Sequence, residues 1–314
     1  MIKIKLECWW TNPNSLKERF IKQFVPNYDL SLYEFVDNNP DFTIVFGKTD
    51  FDKIETPKSR TFYISQEPLW SPNEKRDVWD YCSKILISDK SIFDDREEYI
   101  ETLLPMFYAG HGEYHEDKNY DWGLFLKDEK INKTKSTSVI VRKDYASYWD
   151  HLEIKDVSII IYKLRTDLGI KLSENQEIDI FGTHWESNGK NIFGSAWNKR
   201  VALNEYRFSF CSENSIQKNY ISEKFWDSVI TNTVPIYLGC SNIDEYIPND
   251  YYINLNQYGD DVDVMCDLIS DITKNSETLY KIYEPKIKEL KDMFFNDQRF
   301  NLWIKIKNLI HGIN

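Results

Sequence analysis

The fold is decided by residues 206–239, which read YRFSFCSENSIQKNYISEKFWDSVITNTVPIYLG. The aromatic residues within Arg207–Cys211 predict a buried strand, and Val234–Gly239 predicts a second one. Between them, a polar turn leads to Ser222, a favoured N-cap residue, and to a helix over Ser222–Ile230. A strand, a turn, a helix and a further strand are typical of an α/β unit with parallel strands.

The same alternation of strands and helices extends outward to both ends of the chain. In the first half it predicts a helix at Ser15–Phe24 and strands at Ile2–Cys8, Phe42–Gly47, Thr61–Ser65 and Lys84–Ser88. In the second half it predicts a strand at Val157–Ile161, a helix at Thr166–Leu172, a strand at Glu177–Phe181 and helices from Val262 to Asn314.

A polar stretch from Gly110 to Thr137 has no clear periodicity and is interpreted as a long loop or linker. The sequence therefore predicts two Rossmann-like α/β domains, residues 1–150 and 151–314, with mainly parallel sheets facing a central cleft. A cleft between two such domains is a common place for a ligand.

Composition excludes several classes of protein. The 314 residues carry 39 Lys and Arg against 51 Asp and Glu, a net charge of −12, which argues against nucleic-acid binding. With 41% hydrophobic and 29% charged residues, the chain is typical of a folded globular protein and not of a disordered one.

The sequence also favours a particular compartment. The first residues alternate polar and apolar, as in a strand and not a secretory signal, and no apolar run is long enough to span a bilayer. The five cysteines are scattered, which is typical of free thiols in a reducing compartment. We therefore expect a cytoplasmic protein. The amphipathic segment Ile304–Ile310 allows, at most, peripheral contact with the inner membrane surface, and packing on the core is the favoured alternative.

Familiar metal and nucleotide motifs are absent from the sequence. The five histidines lack metal-ligand spacing, and Gly47-Lys48-Thr49 lacks the upstream glycine of a P-loop. Asp261-Val262-Asp263 resembles the D-x-D of metal-dependent sugar transferases. However, the helix dipole also favours two acids at the start of a helix. The dipole interpretation is the stronger one, and no metal or other cofactor is expected.

Lys224 lies in the first turn of the predicted helix, where a cation opposes the helix dipole. A bound anion at the helix N-terminus would reverse that cost, because helix N-termini bind phosphates readily. From these residues alone, Lys224 is interpreted either as a phosphate ligand or as a solvated surface lysine.

A family resemblance is found in four segments: Glu213-Asn214-Ser215, Tyr220–Lys224, Val234–Gly239 and Tyr246-Ile247-Pro248. Together they closely resemble the signature of the α1,3/4-fucosyltransferase family. The similarity extends to segments that resemble the acceptor half of the bacterial members, namely Cys8-Trp9-Trp10, Asp41–Gly47, Phe62–Asn73 and Leu104–Tyr108.

The resemblance implies a GT-B fold and an inverting, metal-independent glycosyltransferase. Its donor would be GDP-fucose, bound by the C-terminal domain, and its acceptor a GlcNAc- or Glc-containing oligosaccharide or glycoconjugate, with an α1,3-type linkage expected. Two alternatives stay open, a transferase that uses another GDP-sugar and a catalytically silent sugar-binding module. The second is disfavoured because Glu67, Glu223 and Lys224 are all retained.

The same resemblance implies roles for individual residues. Glu67 matches the family's catalytic base, although Gln66-Glu67-Pro68 has a longer path to its Ser-Pro element, and a surface loop carboxylate is the alternative. A carboxylate is suited to take the proton from an acceptor hydroxyl.

The other matched residues would bind the donor. Lys224 and Arg165 would hold its phosphates, and Glu223 its sugar or ribose hydroxyls. Tyr220 and Asn214 would line the nucleotide pocket, with packing or turn roles as the alternative. Around Arg165 the preceding loop is short and Gly169 replaces an aromatic residue, so a surface arginine also stays possible.

Overall fold

A computed structural model describes residues 1–8, 13–25, 30–47, 49–65, 78–90, 96–104, 132–143, 160–196 and 199–313. The chain forms two compact units, Met1–Phe107 together with Phe295–Asn314, and Tyr108–Phe294. The first unit thus includes both ends of the chain, whereas the sequence predicted a single division near residue 150.

The first unit contains a six-stranded sheet in the order β2-β1-β3-β4-β5-β6, in which every neighbouring pair is parallel. Its elements are β1 (Ile2–Cys8), α1 (Pro13–Phe24), β2 (Tyr33–Phe35), β3 (Phe42–Phe46), β4 (Thr61–Ile64), β5 (Lys84–Ile87), β6 (Tyr99–Glu101) and α7 (Leu302–Ile310).

The C-terminal helix α7 completes the core of the first unit. The Trp303 indole is fully buried and meets the rings of Phe20 and Tyr33 edge-on, with centroids 5.9 and 4.9 Å away. Such aromatic contacts add to the burial of apolar area. The last helix therefore packs on the core, as the sequence favoured over membrane contact.

The second unit contains another six-stranded parallel sheet, in the order β12-β11-β10-β7-β8-β9. Its elements are β7 (Lys135–Ile140), α2 (Ile160–Leu172), β8 (Ile178–Phe181), β9 (Ile192–Gly194), α3 (Lys199–Leu203), β10 (Tyr206–Ser212), α4 (Glu223–Ile230), β11 (Val234–Leu238), β12 (Ile253–Asn254), α5 (Val262–Lys274) and α6 (Ser276–Asn296).

The strand order of the second sheet reverses between β7 and β10, since β8 and β9 follow on one side and β11 and β12 on the other. In open parallel sheets, ligands bind beyond the carboxyl ends of the strands at such a switch point. Two parallel sheets with helices confirm the predicted α/β class. Among the described residues, no helix is both long enough and apolar enough to cross a membrane.

The predicted strand at Val157–Ile161 is wrong at its described end, because Ile160 and Ile161 open helix α2; residues 157–159 lie outside the described residues. Ile161, Leu164, Leu168 and Leu172 follow helical spacing and are all buried. A short aliphatic run does not distinguish a buried strand from a buried helix. The predicted helix at Thr166–Leu172 is the second half of α2.

The sequence does not predict β7, a central strand whose first residues fall in the predicted linker. Its residues Thr137 and Ser138 are polar, yet both side chains are fully buried. The Thr273 hydroxyl donates to Thr137 Oγ1 at 2.8 Å, and Ser138 Oγ pairs with Ser209 Oγ at 3.0 Å. Because neighbouring elements satisfy these hydroxyls, the strand is buried without an apolar pattern.

Candidate active site

The candidate site lies at the carboxyl edge of the second sheet, next to the switch point. Strand β10 ends at Ser212, and after a polar loop α4 begins at Glu223 with Ser222 as its N-cap. Ser222 Oγ accepts from the Lys224 backbone N–H at 3.3 Å, which satisfies one free donor of the helix end. The predicted strand, turn and capped helix are confirmed here.

Glu213 is the fully buried centre of the loop between β10 and α4. Its Oε1 accepts from the Ser222 backbone N–H at 2.7 Å and from the Tyr237 hydroxyl at 3.1 Å, while its Oε2 accepts from the Ser222 hydroxyl. Lys224 Nζ lies 3.9 Å from Oε2. One carboxylate thus joins the start of α4 to the end of β11.

Two lysines and two acids of α3 and α4 extend this arrangement. Lys224 Nζ lies 3.2 Å from Glu223 Oε1, and Lys199 Nζ reaches the same oxygen at 3.5 Å. Lys199 Nζ also pairs with Asp227 Oδ2 at 2.5 Å. We call Lys199, Glu213, Glu223, Lys224 and Asp227 the carboxyl-edge cluster.

The charges of the cluster shift one another's protonation. Burial would raise the pKa of Glu223, but the ammonium groups of Lys224 and Lys199 outweigh it and lower that pKa to about 2. Burial opposes the charge of Lys224, yet Glu223 and Glu213 raise its pKa above the ordinary value. Glu223 is therefore an anion and Lys224 a cation at neutral pH. Glu223 can accept hydrogen bonds, and Lys224 can bind an anionic group.

Arg165 brings a third cation to the same edge. It is buried in α2, where its Nη1 donates to Asn214 Oδ1 at 3.0 Å and approaches the Glu213 carbonyl oxygen at 3.4 Å. Its guanidinium carbon lies 4.0 Å above the ring of Tyr162. A buried, stacked arginine is not the solvated surface residue that the sequence left as an alternative.

Buried polar atoms near this edge have unused hydrogen-bonding capacity. Within the described part of the chain, Thr166 Oγ1, Ser215 Oγ and Gln217 Oε1 are buried without a hydrogen-bond partner. Thr166 follows Arg165 directly, and Ser215 follows Asn214. Buried polar groups normally have partners, so these three atoms are available to a polar ligand or to ordered water.

The structure brings the five predicted donor residues together. Lys224 and Glu223 open α4, Arg165 contacts Asn214, and the carbonyl of the buried Tyr220 lies 3.4 Å from the Tyr237 hydroxyl. Glu67 lies outside the described residues; β4, the strand before it, ends at Ile64. Their roles in binding and catalysis stay predictions.

The sequence did not predict Lys199, Asp227 or the part played by Glu213. One signal was available for Asp227, because Glu223 and Asp227 are four residues apart, on one face of an otherwise largely apolar helix. Two buried acids on one helix face require a cation from another element. That cation is Lys199 of α3, in a stretch with no recognisable motif.

Across the described residues, no group of three or more His, Cys, Asp or Glu side chains is placed to hold a metal ion. Asp261 is the N-cap of α5 and accepts from the Val264 N–H at 3.0 Å, while Asp263 pairs with Lys171. The two acids of the D-x-D segment therefore serve the helix start, as the dipole interpretation expects.

Comparison with known proteins connects this geometry to a family. Residues 151–302 match the family model described as "Glycosyltransferase family 10 (fucosyltransferase) C-term". Human alpha-(1,3)-fucosyltransferase 7 is 29% identical over 140 residues, which cover 44% of this chain and 38% of that protein. Human 4-galactosyl-N-acetylglucosaminide 3-alpha-L-fucosyltransferase 9 is 29% identical over 134 residues, covering 41% of this chain and 34% of that protein.

Solved structures share the fold over nearly the whole chain. A crystal structure of an alpha1,3-fucosyltransferase with GDP-fucose superposes with a TM-score of 0.56 at 16% identity, covering 99% of this chain and 90% of that one. The corresponding structure without a stated ligand gives 0.54 at 18% identity, with 99% and 89% covered. The predicted resemblance to the fucosyltransferase family and the predicted GT-B fold class are confirmed. The matched segments span less than two-fifths of the human relatives' length.

Proposed function

Because residues 151–302 match the C-terminal model of glycosyltransferase family 10, we propose that the protein transfers L-fucose from GDP-fucose to a hydroxyl of a GlcNAc- or Glc-containing glycan. The observation that carries the proposal is the position of Lys224. Its ammonium group lies at the N-terminus of α4, at the carboxyl edge and switch point of a parallel sheet, where nucleotide phosphates bind. Arg165 adds a second, buried cation at the same edge.

The donor contacts follow from this placement. Lys224 and Arg165 would hold the pyrophosphate and stabilise the negative charge that develops on the departing GDP. Glu223, kept ionised by two lysines, would accept hydrogen bonds from sugar or ribose hydroxyls. Asn214 and Tyr220 would line the nucleotide pocket. Ser215 Oγ and Gln217 Oε1, which have no hydrogen-bond partner in the protein, suit the same polar ligand.

The transfer step is proposed as an inverting displacement. The acceptor oxygen attacks the fucose C1 atom while the bond from C1 to the β-phosphate oxygen breaks, and GDP leaves with the bonding electrons. The hydroxyl proton passes to a carboxylate, for which the family resemblance proposes Glu67. An α1,3-type linkage is expected from the same resemblance.

Metal independence, compartment and acceptor belong to the proposal as well. We propose that transfer needs no added ion, with Lys224 and Arg165 supplying the positive charge that the phosphates require. None of the five cysteines forms a disulfide, and we propose a cytoplasmic setting. An oligosaccharide or glycoconjugate acceptor is proposed from the resemblance alone.

Transfer in the presence of EDTA tests the proposal directly. Purified protein is incubated with GDP-fucose and EDTA, with and without N-acetyllactosamine, while released GDP and the anomeric configuration of the product are measured. Acceptor-dependent release that survives EDTA and gives the inverted product is expected. Glu67→Gln should remove most of this activity, whereas Glu55→Gln, a change at an exposed acid of the first unit, should not.

Other outcomes would redirect the proposal. Turnover with GDP-mannose but not with GDP-fucose would favour the alternative of another GDP-sugar. GDP binding without any turnover would favour a silent sugar-binding module. Absence of both turnover and GDP binding would overturn the proposed function.

A further inference from the structure

Glu213 makes more contacts in the candidate site than the proposed reaction uses. Its side chain is fully buried and accepts three hydrogen bonds, two from Ser222 and one from Tyr237. Its backbone carbonyl oxygen is approached by the Arg165 guanidinium. A buried carboxylate is costly unless its oxygens are satisfied, and here protein donors satisfy both oxygens. Because Glu213 is fully buried and both of its oxygens already accept hydrogen bonds from the protein, it would act through another residue and not by contacting a substrate.

The hydrogen bonds of the Ser222 hydroxyl identify that other residue as Lys224. A hydroxyl has one proton and two lone pairs, and an ionised carboxylate can only accept. The Ser222 hydroxyl donates its proton to Glu213 Oε2, which leaves its two lone pairs for Lys224. Both nitrogens of Lys224 use them, the backbone N–H and the side-chain Nζ each at 3.3 Å from Ser222 Oγ.

The surroundings leave Glu213 a single position. Its Cγ fills the space beside Gly239, where a Cβ would come within 2.3 Å of that atom and within 2.6 Å of the Tyr237 hydroxyl oxygen. The Tyr237 hydroxyl in turn accepts from the Cys240 backbone N–H at 3.0 Å. Strand β11 and the loop after it thus hold the carboxylate from the side opposite α4.

We infer that Glu213 is the positioning residue for Lys224, acting through the Ser222 hydroxyl to fix where the lysine ammonium meets the donor pyrophosphate. The inference rests on the proposed function. Without Glu213, the Lys224 ammonium keeps Glu223 as its nearest acid and turns toward it, away from the phosphate. The loss of binding affinity should therefore affect ligands that carry a β-phosphate, because the β-phosphate is the group that leaves as part of GDP.

Titration with GDP and GMP tests the inference. Dissociation constants are measured by calorimetry for the wild type, Glu213→Gln and Ser222→Ala. Both variants should bind GDP about tenfold more weakly, a loss at the low end for charge-assisted hydrogen bonds. Their affinity for GMP should change by less than about twofold, so that the preference for GDP over GMP falls.

Two further variants separate positioning from a structural role. In a Lys224→Met background, Glu213→Gln should cause no further loss of GDP affinity, because the lysine it positions is gone. Asp261→Ala removes the N-cap of α5 just as Ser222→Ala removes that of α4, yet it should leave both affinities unchanged. Thermal unfolding identifies any variant that fails to fold. If Glu213→Gln does not fold, the titrations of Ser222→Ala test the inference.

The outcomes distinguish this inference from the proposed function. If the wild type binds GDP and both variants keep its preference for GDP over GMP, the inference is overturned and the proposed function stands. Equal losses for GDP and GMP, or additive losses in the Lys224→Met background, would also overturn it. No GDP binding by the wild type would overturn the proposed function and the inference together.

Discussion

Lysine, acidic and tyrosine side chains meet at both edges of the second sheet, in opposite surroundings. At the amino edge, Lys135 Nζ lies 3.2 Å from Asp179 Oδ2 and 3.0 Å from the Tyr206 hydroxyl oxygen, and its side chain is 43% exposed. We call Lys135, Asp179 and Tyr206 the amino-edge cluster. At the carboxyl edge, Lys224 is 23% exposed, and the acid between it and β11, Glu213, is fully buried. The residue types are alike and both tyrosines are buried, but the lysine and the acid of the amino-edge cluster are more exposed than Lys224 and Glu213.

The difference in exposure distinguishes charges that indicate a binding site from charges that do not. The amino-edge cluster lines an open groove of about 540 Å³ in which three cations, Lys135, Arg207 and Lys274, face three acids, Glu177, Asp179 and Glu277. Water solvates such charges, so holding them there costs little. At the carboxyl edge, desolvation makes the same charges expensive, and a protein keeps such an arrangement where the charges perform a task.

Replacing Lys224 should have the largest effect. Lys224→Met removes the proposed phosphate ligand, and we expect the kcat/KM for GDP-fucose to fall by about 10²–10³-fold, as for other groups that stabilise developing charge. Steady-state kinetics of GDP release measure this loss. Lys135→Met, the matched change at the amino edge, should keep the wild-type kcat/KM. Equal losses of kcat/KM in the two variants would contradict the expected difference between the two edges.

Lys199→Met should cause the next largest effect, on stability. The change leaves Asp227, which is 6% exposed, without its ion partner, so the free energy of unfolding should fall by about 3 kcal/mol. Urea unfolding monitored by tryptophan fluorescence measures it. The double variant Lys199→Met/Asp227→Asn leaves no unpaired charge and should recover part of the loss. A double variant no more stable than the single one would contradict this.

The pH dependence of stability should also differ between wild type and Glu223→Gln. In the folded protein the lysines lower the pKa of Glu223 to about 2, below its ordinary value of 4.5. Between these values the unfolded state binds the extra proton, so the contribution of Glu223 is full above pH 5 and is lost as the pH falls toward 2. The advantage of the wild type over the variant should therefore shrink by about 3 kcal/mol over that range.

Urea unfolding at a series of pH values checks this prediction. Glu277→Gln removes an exposed acid paired with Lys281 on α6, and its effect on stability should stay below about 1 kcal/mol throughout. A wild-type advantage over Glu223→Gln that is the same at pH 3 and pH 6 would show that the lysines do not stabilise the ionised Glu223.

The sequence could predict the parts of this site that local interactions determine, but not those that depend on contacts between distant elements. Ser222 and Lys224 were predictable because capping and the helix dipole act within one helical turn. The pairing of Lys199 with Asp227 joins α3 to α4, and no local pattern encodes it. Strand β7 was missed for a similar reason, since Thr137 is satisfied by Thr273, far away in sequence. Tertiary contacts decided what local propensity could not.

The smallest effect is expected at the amino edge. Lys135→Met breaks an exposed contact with Asp179, and the free energy of unfolding should change by no more than about 1 kcal/mol. Since salt screens exposed charges, the difference from wild type should shrink further in 1 M NaCl. Urea unfolding at low and high salt measures both. A loss as large as that of Lys199→Met would show that the two edges are energetically alike.

Calorimetric titration with GDP in the presence of EDTA tests most directly whether the carboxyl-edge cluster is a nucleotide-phosphate site. The wild type and Lys135→Met should bind one GDP per chain with the same affinity, whereas Lys224→Met should bind it at least about tenfold more weakly. Undiminished GDP binding by Lys224→Met, or no binding by the wild type, would contradict the assignment of the site to this edge of the sheet.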